Sequence, residues 1–183
     1  MMAQKATIYK VELSVSDMDR HCYGTHNLTV AKHPSETDER LILRILAFAL
    51  NVRDRLEFSK GLSSDDEPDI WQKSRSGELE LWVILGLPSE KIIRQSCGRA
   101  NEVVIYSYGG RAAELWWDKI KNTAMRSNNL RVVNVSYQDS KEVGQLLDRS
   151  IKMQVSIEDN DVMISVGEAV VYMDLIEWRG TAD

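Results

Sequence analysis

The chain has 183 residues, 43% of them hydrophobic and 28% charged, with a formal net charge of −5. That length and balance suit a folded globular chain with a sizeable core, and they exclude a disordered or fibrous one. The negative charge excludes a protein that coats nucleic acid through a bulk positive field, because neutralising phosphates takes clustered Lys and Arg; an enzyme that holds nucleic acid in a local cleft stays open.

Thr7 to Ser16 alternates Tyr9, Val11, Leu13 and Val15 with polar neighbours, which predicts a half-buried strand. Asp17-Met-Asp-Arg20 reads as a polar turn and Tyr23 to Lys32 as the returning strand. His33-Pro34-Ser35-Glu36-Thr37-Asp38 opens a helix with Ser35 as N-cap, running to about Leu56 on an apolar face of Leu41, Ile42, Ile45, Leu46, Ala49 and Val52. Lys60 to Pro68 is an acidic loop containing Asp65-Asp66-Glu67. A hairpin follows, Asp69 to Lys73 and Glu78 to Leu85 about a Ser-Arg-Ser-Gly turn, then a Ser89-capped helix from Glu90 to about Ala100. Glu102 to Tyr106 predicts a buried strand, Gly110 to about Ala124 a helix, Arg131 to Val135 a strand and Asp139 to Arg149 a helix. Ile151 to Glu158, Val162 to Val166 and Val170 to Ile176 return to β, with a turn at Asp159-Asn160-Asp161. This order predicts a single α/β (α+β) domain over residues 1–183, with one mixed central sheet flanked by helices.

The longest apolar stretch, Leu41 to Leu50, is broken by Arg44 and is too short to span a bilayer. Met1 to Lys10 moves straight into alternation without a signal-peptide pattern. Cys22 and Cys97 form no C-x-x-C pair, which suits two structural thiols in a reducing compartment. The expectation is a cytoplasmic protein with no membrane partner. His21, His26 and His33 cluster in one stretch; without Cys ligands at zinc spacing they read as hairpin and loop histidines rather than a metal site.

The window from Asp65 to Ala100 carries the chemistry. In the strand Glu78 to Leu85, Leu79, Leu81, Val83 and Leu85 share one face, and Glu78, Glu80, Trp82 and Ile84 the other. With the turn centred between Arg75 and Ser76, Asp69 stands opposite Trp82 and Trp71 opposite Glu80, so Asp69 and Glu80 are diagonal on one surface. A one-residue slip would send them to opposite faces. Converging carboxylates repel one another unless a hard cation joins them, and Mg²⁺ takes oxygen ligands while keeping water. A metal-bound water is a nucleophile for phosphodiester hydrolysis. Glu39 extends an apolar stripe through Ile42, Leu43 and Leu46 and is a candidate third carboxylate; the alternative is a structural pair with Arg40 or Arg75. Trp71 and Trp82 read either as base-stacking platforms or as packing residues.

Pro68-Asp69, a hairpin, Glu80 in an apolar strand, then helix and strand resemble the αβββαβ core of the PD-(D/E)XK (restriction endonuclease-like) superfamily. The strings DDEPDIW, LWVILGLPSEKIIRQSCGRA, KATIYKVELSVSDMDR, AKHPSETDERLILRILAF and GGRAAELWW resemble the bacterial YaeQ family over nearly the whole length. The resemblance implies that core with an added N-terminal hairpin and C-terminal strands. It puts Asp69 at the first acidic position and Glu80 at the second, as catalytic Mg²⁺ ligands, and the helical Glu39 stands beside them as the further catalytic candidate. The lysine expected two residues after Glu80 is Trp82, which carries no charge and offers one N–H. Such lysines migrate to a neighbouring helix in this superfamily, which makes Lys91 the catalytic candidate and Arg94 and Gln95 the substrate-binding ones. Two functions follow as expectations: a Mg²⁺-dependent phosphodiesterase acting on nucleic acid, or a binding or regulatory module that keeps the nuclease fold without its chemistry.

Overall fold

The computed structural model describes residues 5–60 and 66–180. Residues 1–4, 61–65 and 181–183, which include Asp65 and the start of the expected acidic loop, lie outside them. The chain is α+β, but its strands form two mixed sheets rather than the one central sheet expected. It divides into two compact units, residues 1–52 with 138–174 and residues 53–137 with 175–183.

The first unit holds a five-stranded sheet. β1 (Thr7–Asp17) and β2 (Cys22–Lys32) form the predicted antiparallel hairpin, in register from Thr7 opposite Lys32 to Asp17 opposite Cys22. β8 (Ser150–Glu158) lies parallel to β1, and β9 (Asp161–Val166) and β10 (Ala169–Met173) follow antiparallel. Tyr9, Val11, Leu13 and Val15 are buried, as the alternation predicts, and α1 (Asp38–Leu50) packs on β1. α1 is apolar and buried all round from Leu41 to Ala49, Arg44 included. Its N-cap is Thr37, whose hydroxyl accepts the Arg40 N–H at 3.1 Å, while Ser35 bonds His33 Nδ1 in the turn before it. It ends at Leu50 rather than near Leu56, because the Asn51 amide turns back to donate to the Ala47 carbonyl at 2.7 Å.

The second unit holds a six-stranded sheet in the order β11-β7-β6-β5-β4-β3. β5 (Leu79–Leu85), β6 (Glu102–Ser107) and β7 (Leu130–Val135) run parallel, linked by α2 (Glu90–Arg99) and α3 (Arg111–Met125). β4 (Ile70–Lys73) and β3 (Leu56–Phe58) continue one side antiparallel. Residues 56–58, between the expected helix end and the acidic loop, are thus an edge strand. β11 (Leu175–Arg179) pairs antiparallel with β7 on the other side. The expected single strand from Val170 to Ile176 is therefore two strands in two sheets, divided at Asp174, whose N–H donates to the Asp139 carboxylate at 2.6 Å. α4 (Tyr137–Gly144) is shorter than the helix expected to reach Arg149.

Trp82, Ile84, Ile93, Val103, Ile105 and Ile120 form one apolar cluster under α2 and α3, with Trp116 and Trp117 packed against it. Gly110 starts α3 at φ +62°, and a Cβ there would stand 3.2 Å from the Tyr137 ring. The Gly109-Gly110 pair is therefore a helix-start feature. No helix among the described residues is long and apolar enough to cross a membrane.

Candidate functional site

The β4–β5 hairpin decides whether the two acids meet. Its turn closes through Gly77 N–H to the Ser74 carbonyl at 3.0 Å, and Ser74 N–H bonds the Glu78 carbonyl at 2.8 Å. Lys73 then pairs with Leu79, but Gln72 pairs with Leu81, so Glu80 is the extra residue of a bulge. Beyond the bulge Trp71 stands opposite Trp82 and Ile70 opposite Val83. The pairing has slipped by two positions from the expected one, in which Asp69 faced Trp82. A two-residue slip preserves faces but lengthens distances along the strand. The bulge also turns Leu79 onto the cluster that holds Trp82 and Ile84, away from the Leu81 and Val83 row expected for it.

Asp69 is buried at the far end of this hairpin. Its carboxylate accepts the Leu85 N–H at 2.8 Å, its own N–H donates to the Val83 carbonyl at 3.0 Å, and its carbonyl accepts the Ser59 N–H at 3.1 Å. Asp69 thus lies at the level of residues 83–85, three to five positions from Glu80 along β5. At the rise of a strand that is on the order of 10–16 Å. Within this unit, no group of three or more His, Cys, Asp or Glu side chains among the described residues can hold a metal ion. The register thus sets Asp69 and Glu80 apart along the hairpin. Asp69 instead ties β4 to the end of β5. Asp69→Ala removes a charge-assisted bond to a buried N–H and is expected to destabilise the protein by about 1.5–3 kcal/mol; Asp69→Asn, which keeps an acceptor, recovers part of that. Urea titration of the two variants checks it.

Glu39 belongs to the first unit. Its carboxylate takes the Lys141 ammonium of α4 at 2.8 Å rather than Arg40 or Arg75. The apolar company of Glu39 has a local cause: Gly144 brings α4 so close that a Cβ there would stand 3.1 Å from the Glu39 Cα. Arg40 is bound to Glu36 at 2.7 Å.

Lys91, Arg94 and Gln95 are all exposed on α2, which begins as predicted with the Ser89 hydroxyl accepting the Ile92 N–H. Arg94 lies 3.9 Å from Glu90 in an exposed pair that contributes little. Trp82, at the lysine position, is 2% exposed, with the Arg99 guanidinium 4.8 Å above its ring. Trp71 meets Trp82 edge to face at 6.1 Å, donates its N–H to Glu57 at 2.9 Å and lies under the Lys73 ammonium. Both tryptophans are packing residues. Of the histidines, His26 sits edge-on to Phe48 and His33 bonds Ser35, as loop and hairpin residues do. Burial pushes the Cys97 thiol up, which keeps it protonated and unreactive at neutral pH.

The fold is thus a two-unit α+β frame whose second unit has an open sheet with a parallel centre, with Asp69 tying β4 to β5 and Glu39 paired with Lys141. A model of the YaeQ protein family matches residues 2–175, and the chain belongs to that family. It is 37% identical over 178 residues to the YaeQ protein of Escherichia coli (strain K12), covering 97% of this chain and 98% of that one. The Salmonella typhi YaeQ protein is 36% identical over the same span. The crystal structure of the YaeQ protein from Xanthomonas axonopodis pv. citri superposes with a TM-score of 0.92 at 45% identity, covering 95% of this chain and 98% of that one. That of the Pseudomonas syringae YaeQ protein gives 0.91 at 29% identity, covering 96% and 97%.

Proposed function

We propose that this YaeQ-family chain is a binding module that works through its surfaces, on a frame resembling the PD-(D/E)XK fold but without that superfamily's metal chemistry. The observation that carries the reading is the β4–β5 register. The bulge at Glu80 and the pairing of Trp71 with Trp82 set the two acids apart along the strand. The buried indole at the lysine position supports it, as do the solvent-facing positions of Lys91, Arg94 and Gln95. The net charge of −5 favours a protein partner over nucleic acid. Two half-buried free thiols suit a cytoplasmic setting.

The rival reading is a Mg²⁺-dependent nuclease. One observation favours it: Asp69 is a buried carboxylate at the end of the parallel strand β5, the edge where open sheets gather ligands. The two readings part in a cleavage assay. The full chain, incubated with labelled single- and double-stranded DNA and RNA in Mg²⁺ or Mn²⁺, is expected to leave every substrate intact. Metal-dependent cleavage that disappears in Glu80→Gln would overturn the binding-module reading.

A further inference from the structure

The outer face of the first unit's sheet, opposite the buried Val15, Val155, Ile164 and Val171, carries a row of a different kind. The registers align Tyr23, Ser16, Ser156, Met163 and Tyr172 across all five strands. Tyr172 is 74% exposed and Tyr23 61%, far beyond what ring burial favours. At the Tyr172 end this row opens into a cavity of about 640 Å³, walled by Met18, Met163, Met173 and Tyr172. Unbranched, polarizable methionines suit a surface that adapts to a guest.

One sign of charge rims the cavity. Glu158, Asp159 and Asp161 line it, and none of them makes an ion pair among the described residues. Asp19 adds a fourth carboxylate, which accepts the Asp159 and Asn160 N–H groups at 2.7 and 2.9 Å and so holds the β8–β9 turn in place. Asp159 and Asn160 both have positive φ, 52° and 67°, in that turn. The acids are thus held at the mouth of an apolar cavity, and the nearest cation in sequence, Arg20, is bound to Asp17 at 2.7 Å. Four like charges there raise the local negative potential and attract a cationic partner.

We propose that this groove docks a cationic amphipathic segment of another protein. Its apolar side chains lie on the methionines and Tyr172, and its Lys and Arg heads meet the carboxylates of Glu158, Asp159, Asp161 and Asp19. Nucleic acid would be repelled by the same rim, and a second copy of this chain brings a net charge of −5 against it. The proposal rests on the binding-module reading and gives it a partner class.

The test uses the full chain and a fluorescently labelled Lys/Leu peptide of about 18 residues, long enough for five helical turns. It is compared with a scrambled peptide of the same composition that has no apolar face. Anisotropy is expected to show saturable binding of the amphipathic peptide that weakens with added salt, and much weaker binding of the scrambled one. The double variant Glu158→Gln/Asp161→Asn is expected to reduce affinity at least about tenfold and to flatten the salt dependence; Tyr172→Ala reduces affinity with the salt dependence retained. All three substituted side chains are exposed, so an unchanged melting temperature shows that the fold persists. Equal binding of both peptides, equal binding by the variants, or no binding at all would each overturn the proposal. A chain that fails here but cleaves nothing keeps the binding-module reading. One that binds the peptide and also cleaves nucleic acid keeps the groove and loses that reading.

Discussion

Replacing Trp82 with lysine, the residue the nuclease pattern has at this position, is expected to unfold the second unit rather than to create an enzyme. Trp82 is 2% exposed and packs with Ile84, Ile93, Val103 and Ile105. Truncating a buried aromatic of this size destabilises by about 3–5 kcal/mol through lost transfer energy and the cavity left behind. A lysine adds an ammonium that must either lose its proton or remain charged among aliphatic side chains, at several kcal/mol more. The Arg99 guanidinium, 4.8 Å from the Trp82 ring centre, deepens the penalty, since a cation–π contact becomes a like-charge repulsion. The sum approaches the whole stability of an ordinary domain, about 5–15 kcal/mol. Far-UV circular dichroism during a thermal scan checks the result, with Trp82→Phe as a control that keeps most of the packing and loses no more than about 2 kcal/mol. A Trp82→Lys protein that melts near the wild type and gains Mg²⁺-dependent cleavage would show that the indole holds a catalytic position and not a core one.

Much of the fold was written locally. The alternation of Tyr9, Val11, Leu13 and Val15 located β1 and its buried face, because a two-residue period over many positions has one structural meaning. Ser89 located the start of α2 because its hydroxyl is where an N-cap acceptor must be. At the first helix the cap lies two residues past the expected Ser35, at Thr37, whose hydroxyl accepts the Arg40 N–H. The division into two sheets had no local signature. It depends on β8 lying parallel to β1, a pairing across well over a hundred residues, and on one residue, Asp174, at which a continuous β pattern changes sheet.

The placement of the candidate acids turns on a finer scale. Glu78 to Leu81 alternates and Trp82 to Leu85 is wholly apolar, and nothing in residue type marks Glu80 as a bulge. The turn is centred on Ser76, half a residue beyond the expected point, and the bulge supplies the rest of the slip. Register depends on such small offsets, whereas the identity of the strands does not. Glu39 is a similar case: its neighbours on α1 are apolar, yet what meets it is α4, from far along the chain. The groove at Met18 and Tyr172 has no local signature, because its parts lie on separate turns and strands, each an ordinary polar turn or alternating strand when read alone.

Glu36→Ala is expected to produce a loss of similar kind in the first unit. The Glu36 side chain is 1% exposed and accepts Arg44 Nη2 at 2.9 Å through Oε1 and Arg40 Nη1 at 2.7 Å through Oε2. Arg44, 4% exposed in the middle of α1, also donates to the Ala31 carbonyl on β2 at 2.8 Å. One carboxylate therefore offsets a guanidinium buried in the middle of an apolar helix and joins the start of that helix to the end of β2. Removing it takes a buried carboxylate from Arg44, and breaking one side of such a buried pair destabilises by about 3–5 kcal/mol. For a chain of this length that lowers the melting temperature by roughly 6–20 °C. Arg94→Ala, which breaks the exposed pair with Glu90, is expected to shift stability by no more than about 1 kcal/mol. The contrast separates burial from ion-pair count. A double variant, Glu36→Leu with Arg44→Met, removes both charges and is expected to lose much less than the two single changes added together, because the strain in each single variant is the stranded partner. If Glu36→Ala melts within a degree or two of the wild type, Arg44 reaches water by another route and the pair is not what ties α1 to β2.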